Sequence, residues 1–286
     1  MQVNHISFDG LDAVEIFTNT LRLVMVVGAG PRIAFLGRLG SDNNILYWDK
    51  NGARNGDWKL LGGHRVWITR PGADESVDTY AEDNAPCTLQ VDENTIVATA
   101  PVHPFTQLQR GIEVEPLADG SLRVTNFIKN CGSLIYSGGV WSPTCINPRG
   151  KVMRIPLGEE NTTWDIVTVV TPRIFAGNVV RLDDPQVTYE GMDMVIRSQG
   201  HVTKRCAVAP KGMVAMEWPE ENLCFCKHAE YSPQASYPLG GCNVALFVGE
   251  DNWMGELETF GPEKSIRPGE TVCNIELWSV TSLAGR

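Results

Sequence analysis

No long stretch of this chain repeats apolar residues at the i, i+3, i+4 and i+7 spacing of an amphipathic helix, so helices cannot supply its core. Short β-type runs recur instead. Residues 13–27, AVEIFTNTLRLVMVV, read as two strands around Thr18-Asn19. TIVATA (95–100), GIEVEPL (111–117) and SLRVTNFIKN (121–130) follow, and the Ala-Asp-Gly of 118–120 reads as a hairpin turn because Asp-Gly tolerates positive φ. Further strands are expected at WDIVTVV (164–170), VTYEGMDMVIRS (187–198), MVAMEW (213–218), LCFCKHA (223–229), NVALFVG (243–249), WMGELETFG (253–261) and TVCNIELWSV (271–280). Many short strands separated by Gly, Pro, Asn and Asp predict an all-β antiparallel sandwich or barrel. The irregular stretches are expected at 49–63, 70–86, 141–161 and 230–242, and loops of this kind on a rigid sheet usually carry binding residues. With no internal repeat, low-complexity tract or linker, residues 1–286 read as one domain.

Composition narrows the function. Of 286 residues, 43% are hydrophobic and 20% charged, an ordinary soluble balance. No apolar run reaches the ~20 residues of a membrane helix, so no membrane partner is expected. The opening MQVNHISFDG has neither the basic start nor the apolar centre of a secretory signal. A cytoplasmic location with reduced thiols is therefore expected. The net charge of −10 repels phosphate backbones and argues against nucleic acid, although local arginines can still hold an anionic sugar. Cys224, Cys226 and His228 in LCFCKH offer two thiolates and an imidazole, but a fourth ligand is missing. One strand with both cysteines on its buried face is the preferred reading, and neither metal nor other cofactor is expected.

Three segments carry a family resemblance. YPLGGCNVALFVGEDNWMGELETFGPEKSIRPGETVCNIELW (237–278) contains a Tyr-Pro-x-Gly-Gly turn, a strand, a Glu-Leu-Glu strand, Gly-Pro, a Pro-Gly-Glu turn and a last strand ending in Trp. LGGHRVW (61–67) and LRVTNFIKNCGSLIYSGGVWSPT (122–144) are the other two. Together they resemble the galactose mutarotase-like superfamily, which includes aldose 1-epimerases and hexose-phosphate epimerases. The resemblance implies a large antiparallel β-sandwich of the supersandwich type, with a cleft on one concave sheet for a mono- or oligosaccharide, anionic sugars included. It implies an aldose 1-epimerase-like isomerase. A non-catalytic carbohydrate-binding protein and a uronate or polysaccharide lyase stay as alternatives, because this sandwich hosts several functions. One position departs from the pattern. Aldose epimerases place a histidine in the third segment as general acid at the ring oxygen. Here its counterpart is Trp141, and no histidine lies between His103 and His201. Indole gives up no proton near neutrality, so the acid must come from elsewhere.

The candidate site residues follow. Glu256 and Glu258, at i and i+2, share one strand face. The resemblance makes Glu258 the base that removes the anomeric proton, with Glu256 beside it as a substrate contact. His64 is the expected replacement acid, since imidazole transfers protons near neutral pH. Arg65 offers a planar fork for hydroxyls or an anion. As sequence neighbours on a strand, only one of these two can face the cleft, and the other can pack or pair with Asp74 or Glu75. The Gly62-Gly63 approach allows close passage by a ligand. Trp67 and Trp141 are candidate platforms for the apolar face of a sugar. Lys204 and Lys227 would hold a carboxylate or phosphate. Tyr237 and Asn243 would contact hydroxyls, and in a lyase Tyr237 would move the proton. Arg70, Asp83 and Asn84 sit in a loop that can cover one end of the cleft. His228, beside Lys227, is the further histidine best placed to reach it, whereas His103 is structural. Each also has a plain reading: a solvated strand face for the glutamates, core packing for the tryptophans, surface charge for the lysines.

Overall fold

The computed structural model describes residues 1–55, 58–72, 83–158, 168–175 and 178–283. The chain opens with a four-stranded antiparallel meander: Gln2–Phe8, Leu11–Phe17, Leu21–Val26 and Arg32–Arg38. Its second turn is the expected one. The Thr18 hydroxyl accepts from the amides of Thr20 (3.2 Å) and Leu21 (2.9 Å), which lets the chain reverse. A ten-stranded antiparallel sheet runs in the order Val187–Glu190, Asp193–Arg197, Val152–Pro156, Met213–Trp218, Leu223–Ala229, Thr271–Thr281, Leu122–Asn130, Leu108–Pro116, Ile96–Thr99, Thr88–Val91. A six-stranded sheet runs Thr168–Val170, Thr203–Val208, Val244–Val248, Gly255–Phe260, Val140–Ile146, Trp67–Ile68.

The four- and six-stranded sheets meet edge to edge at His64, which bridges Ile33 on one side and Thr144 on the other. His64 and Ile33 exchange both backbone bonds, at 3.0 and 2.8 Å. The joined layer packs on the ten-stranded sheet. Leu23, Leu36, Ile112, Val124, Phe225, Leu246, Leu257 and Trp278 are buried in the core between the layers. This is the all-β antiparallel sandwich expected from the strand pattern.

The seam explains the double glycine. Gly62 has φ +91° and Gly63 φ +73°, where side chains are strained. A Cβ on Gly63 would lie 2.4 Å from the Ile33 oxygen, and one on Gly62 would lie 2.4 Å from the Tyr47 oxygen. The pair admits neighbouring backbone to the seam, whereas the sequence suggested a passing ligand. Gly63→Ala is therefore expected to destabilise the fold by more than the ~1 kcal/mol of an ordinary Gly/Ala backbone difference. Urea unfolding of the variant against the parent measures it, and an unchanged midpoint would contradict the seam.

Several boundaries differ from expectation. Val140–Ile146 and Val152–Pro156 are strands inside the supposedly irregular 141–161, and Trp48–Asn55 with Trp58–Gly62 forms a strand pair inside 49–63. VTYEGMDMVIRS is two strands, Val187–Glu190 and Asp193–Arg197, folded at Gly191 with φ +58°. Of WDIVTVV, Thr168–Val170 is strand, and 164–167 lie outside the described residues. In LCFCKHA the alternation holds but the sides are reversed. Leu223, Phe225, Lys227 and Ala229 face the core, while half-buried Cys226 and exposed His228 point away with Cys224. Among the described residues no group of three His, Cys, Asp or Glu side chains is placed to hold a metal, and no helix is long and apolar enough to cross a membrane.

Candidate functional site

Every residue of the Gly255–Phe260 strand is buried, on both faces of its sheet. Alternation sends Leu257 and Thr259 into the sandwich, and Glu256 and Glu258 to the outer face. Register sets their neighbours there. Glu258 stands opposite Pro143 and Ala245, and Glu256 opposite Cys145 and Phe247, with Lys204 and Cys206 one strand further.

Four ionic side chains close around this face in two pairs. Lys204 Nζ lies 3.3 Å from Glu258 Oε2, and the Trp141 indole donates to the same oxygen at 2.8 Å. The ammonium also sits 5.0 Å from the centre of the Trp141 ring. Arg65 Nη2 donates to Glu256 Oε1 at 2.8 Å, and Nη1 donates to Cys145 Sγ at 2.9 Å. Its guanidinium lies 4.3 Å over the Trp67 ring. The Arg65 Nε, also buried, has no hydrogen-bond partner among the described residues. Burial works against the Arg65 charge, but the Cys145 sulfur, Glu256 and Asp83 outweigh it and raise the pKa. Burial pushes the Cys145 thiol up to about 12, so it stays neutral.

The aromatic residues form one wall. Trp67 and Trp141 meet edge to face at 5.2 Å, and Trp141 stacks on Phe260 at 6.2 Å. Tyr237 packs in the same cluster, and its hydroxyl accepts from the Ser232 amide at 3.0 Å. The Trp67 indole donates to Asp83 at 3.1 Å, and Asp83 pairs with buried Arg32 at 2.8 Å. Asn84 accepts from Arg32 at 3.3 Å, while Arg70 lies 4.4 Å over the Tyr136 ring. Asp74 and Glu75 fall outside the described residues.

A second polar cluster lies on the opposite side of the same strands, inside the sandwich. Glu276, 0% exposed, is its centre. It receives Lys227 Nζ at 2.9 Å, Asn126 Nδ2 at 3.1 Å, Trp278 Nε1 at 3.0 Å and the Thr259 hydroxyl. Lys227 also donates to the main-chain oxygens of Ser142 (2.8 Å) and Leu257 (3.2 Å). His64 is held at both nitrogens, Nδ1 by Thr144 at 2.8 Å and Nε2 by Asn126 at 2.7 Å. Asn126 turns its amide N–H toward Glu276, so its oxygen faces His64. The ring is then neutral, with its proton on Nε2. Burial drives the His64 pKa down to about 3, against the pull of Glu276 at 3.7 Å. Burial likewise lowers Lys227, with Glu276 opposing. Burial would raise Glu276, but the Lys227 ammonium and the Thr259 hydroxyl hold it below the usual carboxylate range.

The structure thus brings Glu256, Glu258, Arg65, Trp67, Trp141, Lys204 and Tyr237 to one face, and keeps His64 and Lys227 on the other. His64 cannot serve as the acid opposite Glu258. Thr144, its partner, shares the inward face with Leu257, and both ring nitrogens are engaged in the core. Arg65, the next residue, is the one that faces outward. Asn243 does not offer its amide to the site, because it donates to the Ala209 oxygen at 2.9 Å and accepts from the Ala209 amide at 2.8 Å. His228 is exposed on the far surface of the ten-stranded sheet. Glu276 did not emerge from the sequence. The signal for it was Lys227, a cation inside a covered strand that required an acidic partner.

No family model matches the chain, and no curated protein matches it. Solved structures do. A galactose mutarotase-like protein from Lactobacillus casei is 10% identical over 94% of this chain and 100% of its own, with a TM-score of 0.60. A second, from Clostridium acetobutylicum, is 8% identical over 99% of each chain, with a TM-score of 0.59. A galactose mutarotase related enzyme from Lactobacillus acidophilus is 10% identical over 94% of this chain and 97% of its own, with a TM-score of 0.62. At these identities the likeness is one of fold. The chain has the galactose mutarotase-like β-sandwich fold that its sequence motifs suggested.

Proposed function

We propose that this chain is a carbohydrate-active protein that takes a sugar on the outer face of the six-stranded sheet and interconverts its anomers. The observation that supports this is the meeting of Glu258, Lys204, Arg65, Trp67 and Trp141 on one face of a fold shared with galactose mutarotase-like proteins. Anomer exchange needs a base at the C1 hydroxyl and an acid at the ring oxygen, so that the ring opens, turns about C1–C2 and closes again. Glu258 is the base. Lys204, 3.3 Å away, takes the acid's part that His64 cannot play. The Trp67 and Trp141 rings cover the apolar face of the sugar, and Arg65 Nε is a donor for a hydroxyl. Glu258 and Lys204 are closed to solvent, so the sugar enters by displacing what covers them.

The test is exchange spectroscopy on α-glucose, α-galactose and hexose phosphates. Glu258→Gln is expected to lower the enzyme-dependent rate about 10²–10⁴-fold, the usual contribution of a positioned base. Anomer equilibration no faster with the protein than without it, for every sugar tried, would reject an epimerase. A second reading is sugar binding without turnover, favoured by the sequence resemblance, which sets Trp141 against the histidine of aldose epimerases. Calorimetric binding with no rate enhancement would select it. The lyase alternative loses its support, because Lys227 lies in the core and Arg65 is already bonded to Glu256.

A further inference from the structure

Lys227 is an unusual core residue. It belongs to the Leu223–Ala229 strand of the ten-stranded sheet, yet two of its three ammonium bonds go to main-chain oxygens of the opposite layer. Those oxygens belong to Ser142, between Trp141 and Pro143, and to Leu257, between Glu256 and Glu258. Ser142 stands opposite Thr259, and Leu257 opposite Thr144, on either side of the rung formed by Pro143 and Glu258. The ammonium therefore grips both strands from beneath at the rung that carries the proposed base.

Pro143 has no N–H, so toward Arg65 it can only accept, from the Arg65 amide at 3.1 Å. The third ammonium bond goes to Glu276, itself fixed by Asn126, Thr259 and Trp278. All three ammonium protons are thus used, and the anchor is rigid.

We propose that Lys227 is a positioning residue for the Glu258–Trp141 pair, acting across the sandwich through the Ser142 and Leu257 carbonyls. The proposal rests on the reading of Glu258 as the working carboxylate, but the geometric part can be measured without any sugar. A buried ion pair kept only for stability can be replaced by neutral groups with little loss. A clamp cannot, because its removal takes away the anchor beneath the Ser142 and Leu257 carbonyls.

The experiment uses the full chain labelled with ¹⁵N-tryptophan. The Trp141 indole N–H resonance, identified by its loss in Trp141→Phe, reports the bond to Glu258. Lys227→Met is expected to shift it upfield, toward an indole without a carboxylate acceptor. That variant strands the Glu276 charge, so the decisive protein is Lys227→Met/Glu276→Gln, in which no uncompensated carboxylate remains in that cluster. The same upfield shift is expected there. Glu276→Gln alone keeps both carbonyl bonds, so it should move Trp278 and leave Trp141 in place. Phe225→Leu, an inward neighbour on the Lys227 strand, should lower stability and leave Trp141 in place as well. If the parent exchanges anomers, the double variant should lose kcat with KM nearly unchanged. A Trp141 resonance at the parental position in the folded double variant overturns the proposal. A parent that exchanges no anomers removes the epimerase reading, and the resonance still decides on the clamp.

Discussion

Glu276→Ala is expected to lower the free energy of unfolding by about 4 kcal/mol, within the range seen when one partner of a buried pair is removed. The reason is local. The Lys227 ammonium would keep its two carbonyl bonds but lose the only carboxylate that touches it among the described residues. Asn126 Nδ2, the Trp278 indole and the Thr259 hydroxyl would lose an acceptor at the same time. Glu276→Gln should cost less, since an amide oxygen still accepts. A control sits at the surface. Arg22 and Glu15 also form a short pair, at 2.7 Å, but both are partly exposed, and Glu15→Ala should cost under about 1 kcal/mol. Urea unfolding followed by circular dichroism measures all three. If Glu276→Ala loses no more than Glu15→Ala, the interior cluster is not a held ionic centre.

The second large effect is acid lability with a defined window. The His64 pKa is about 3 in the folded protein against 6.5 for a free imidazole. Between those values the unfolded chain binds a proton that the folded chain refuses. Stability therefore rises with pH across the window. The contribution is complete above pH 6.5 and is lost as pH falls toward 3, a change on the order of 5 kcal/mol. Glu276 has the same sign, because its folded pKa lies below 4.5. Its share is present above that value and fades below it. The two residues can be separated. His64→Gln removes the titrating ring, so the slope between pH 5 and 6.5 should flatten while the steeper loss below pH 4.5 remains. Unfolding free energies at closely spaced pH values test this. A parental curve that is already flat from pH 6.5 to 5 would mean that His64 charges inside the fold.

How far the sequence reached depends on the residue. GELETF announces two carboxylates on one strand face, and period-two alternation alone carries that inference to the outer face. HR at 64–65 announces that the two residues diverge, but which one turns inward depends on pairing with Ile33 and Thr144, residues 31 and 80 positions away. Local pattern holds no such information. NIELW misleads outright. Hydropathy would bury Ile275 and Leu277, yet these are 52% and 42% exposed, while Asn274, Glu276 and Trp278 fill the interior. A strand whose apolar side faces out can be recognised only once its neighbours are known. Val140–Ile146 was hidden for a different reason. Ser142, Pro143 and the following Asn-Pro-Arg-Gly look like loop, yet Pro143 sits within the strand, where its carbonyl accepts from the Arg65 amide.

The Gly255–Phe260 strand has solvent on neither side, one flank meeting the interior cluster and the other the carboxylate face. A saturation library should therefore treat its six positions alike, rejecting nearly every replacement along its length. The Thr271–Thr281 strand, with alternate residues open to water, should instead accept and refuse substitutions in turn. Inheritance along the first segment would then be nearly frozen, and variation between relatives would gather in the second at every other letter.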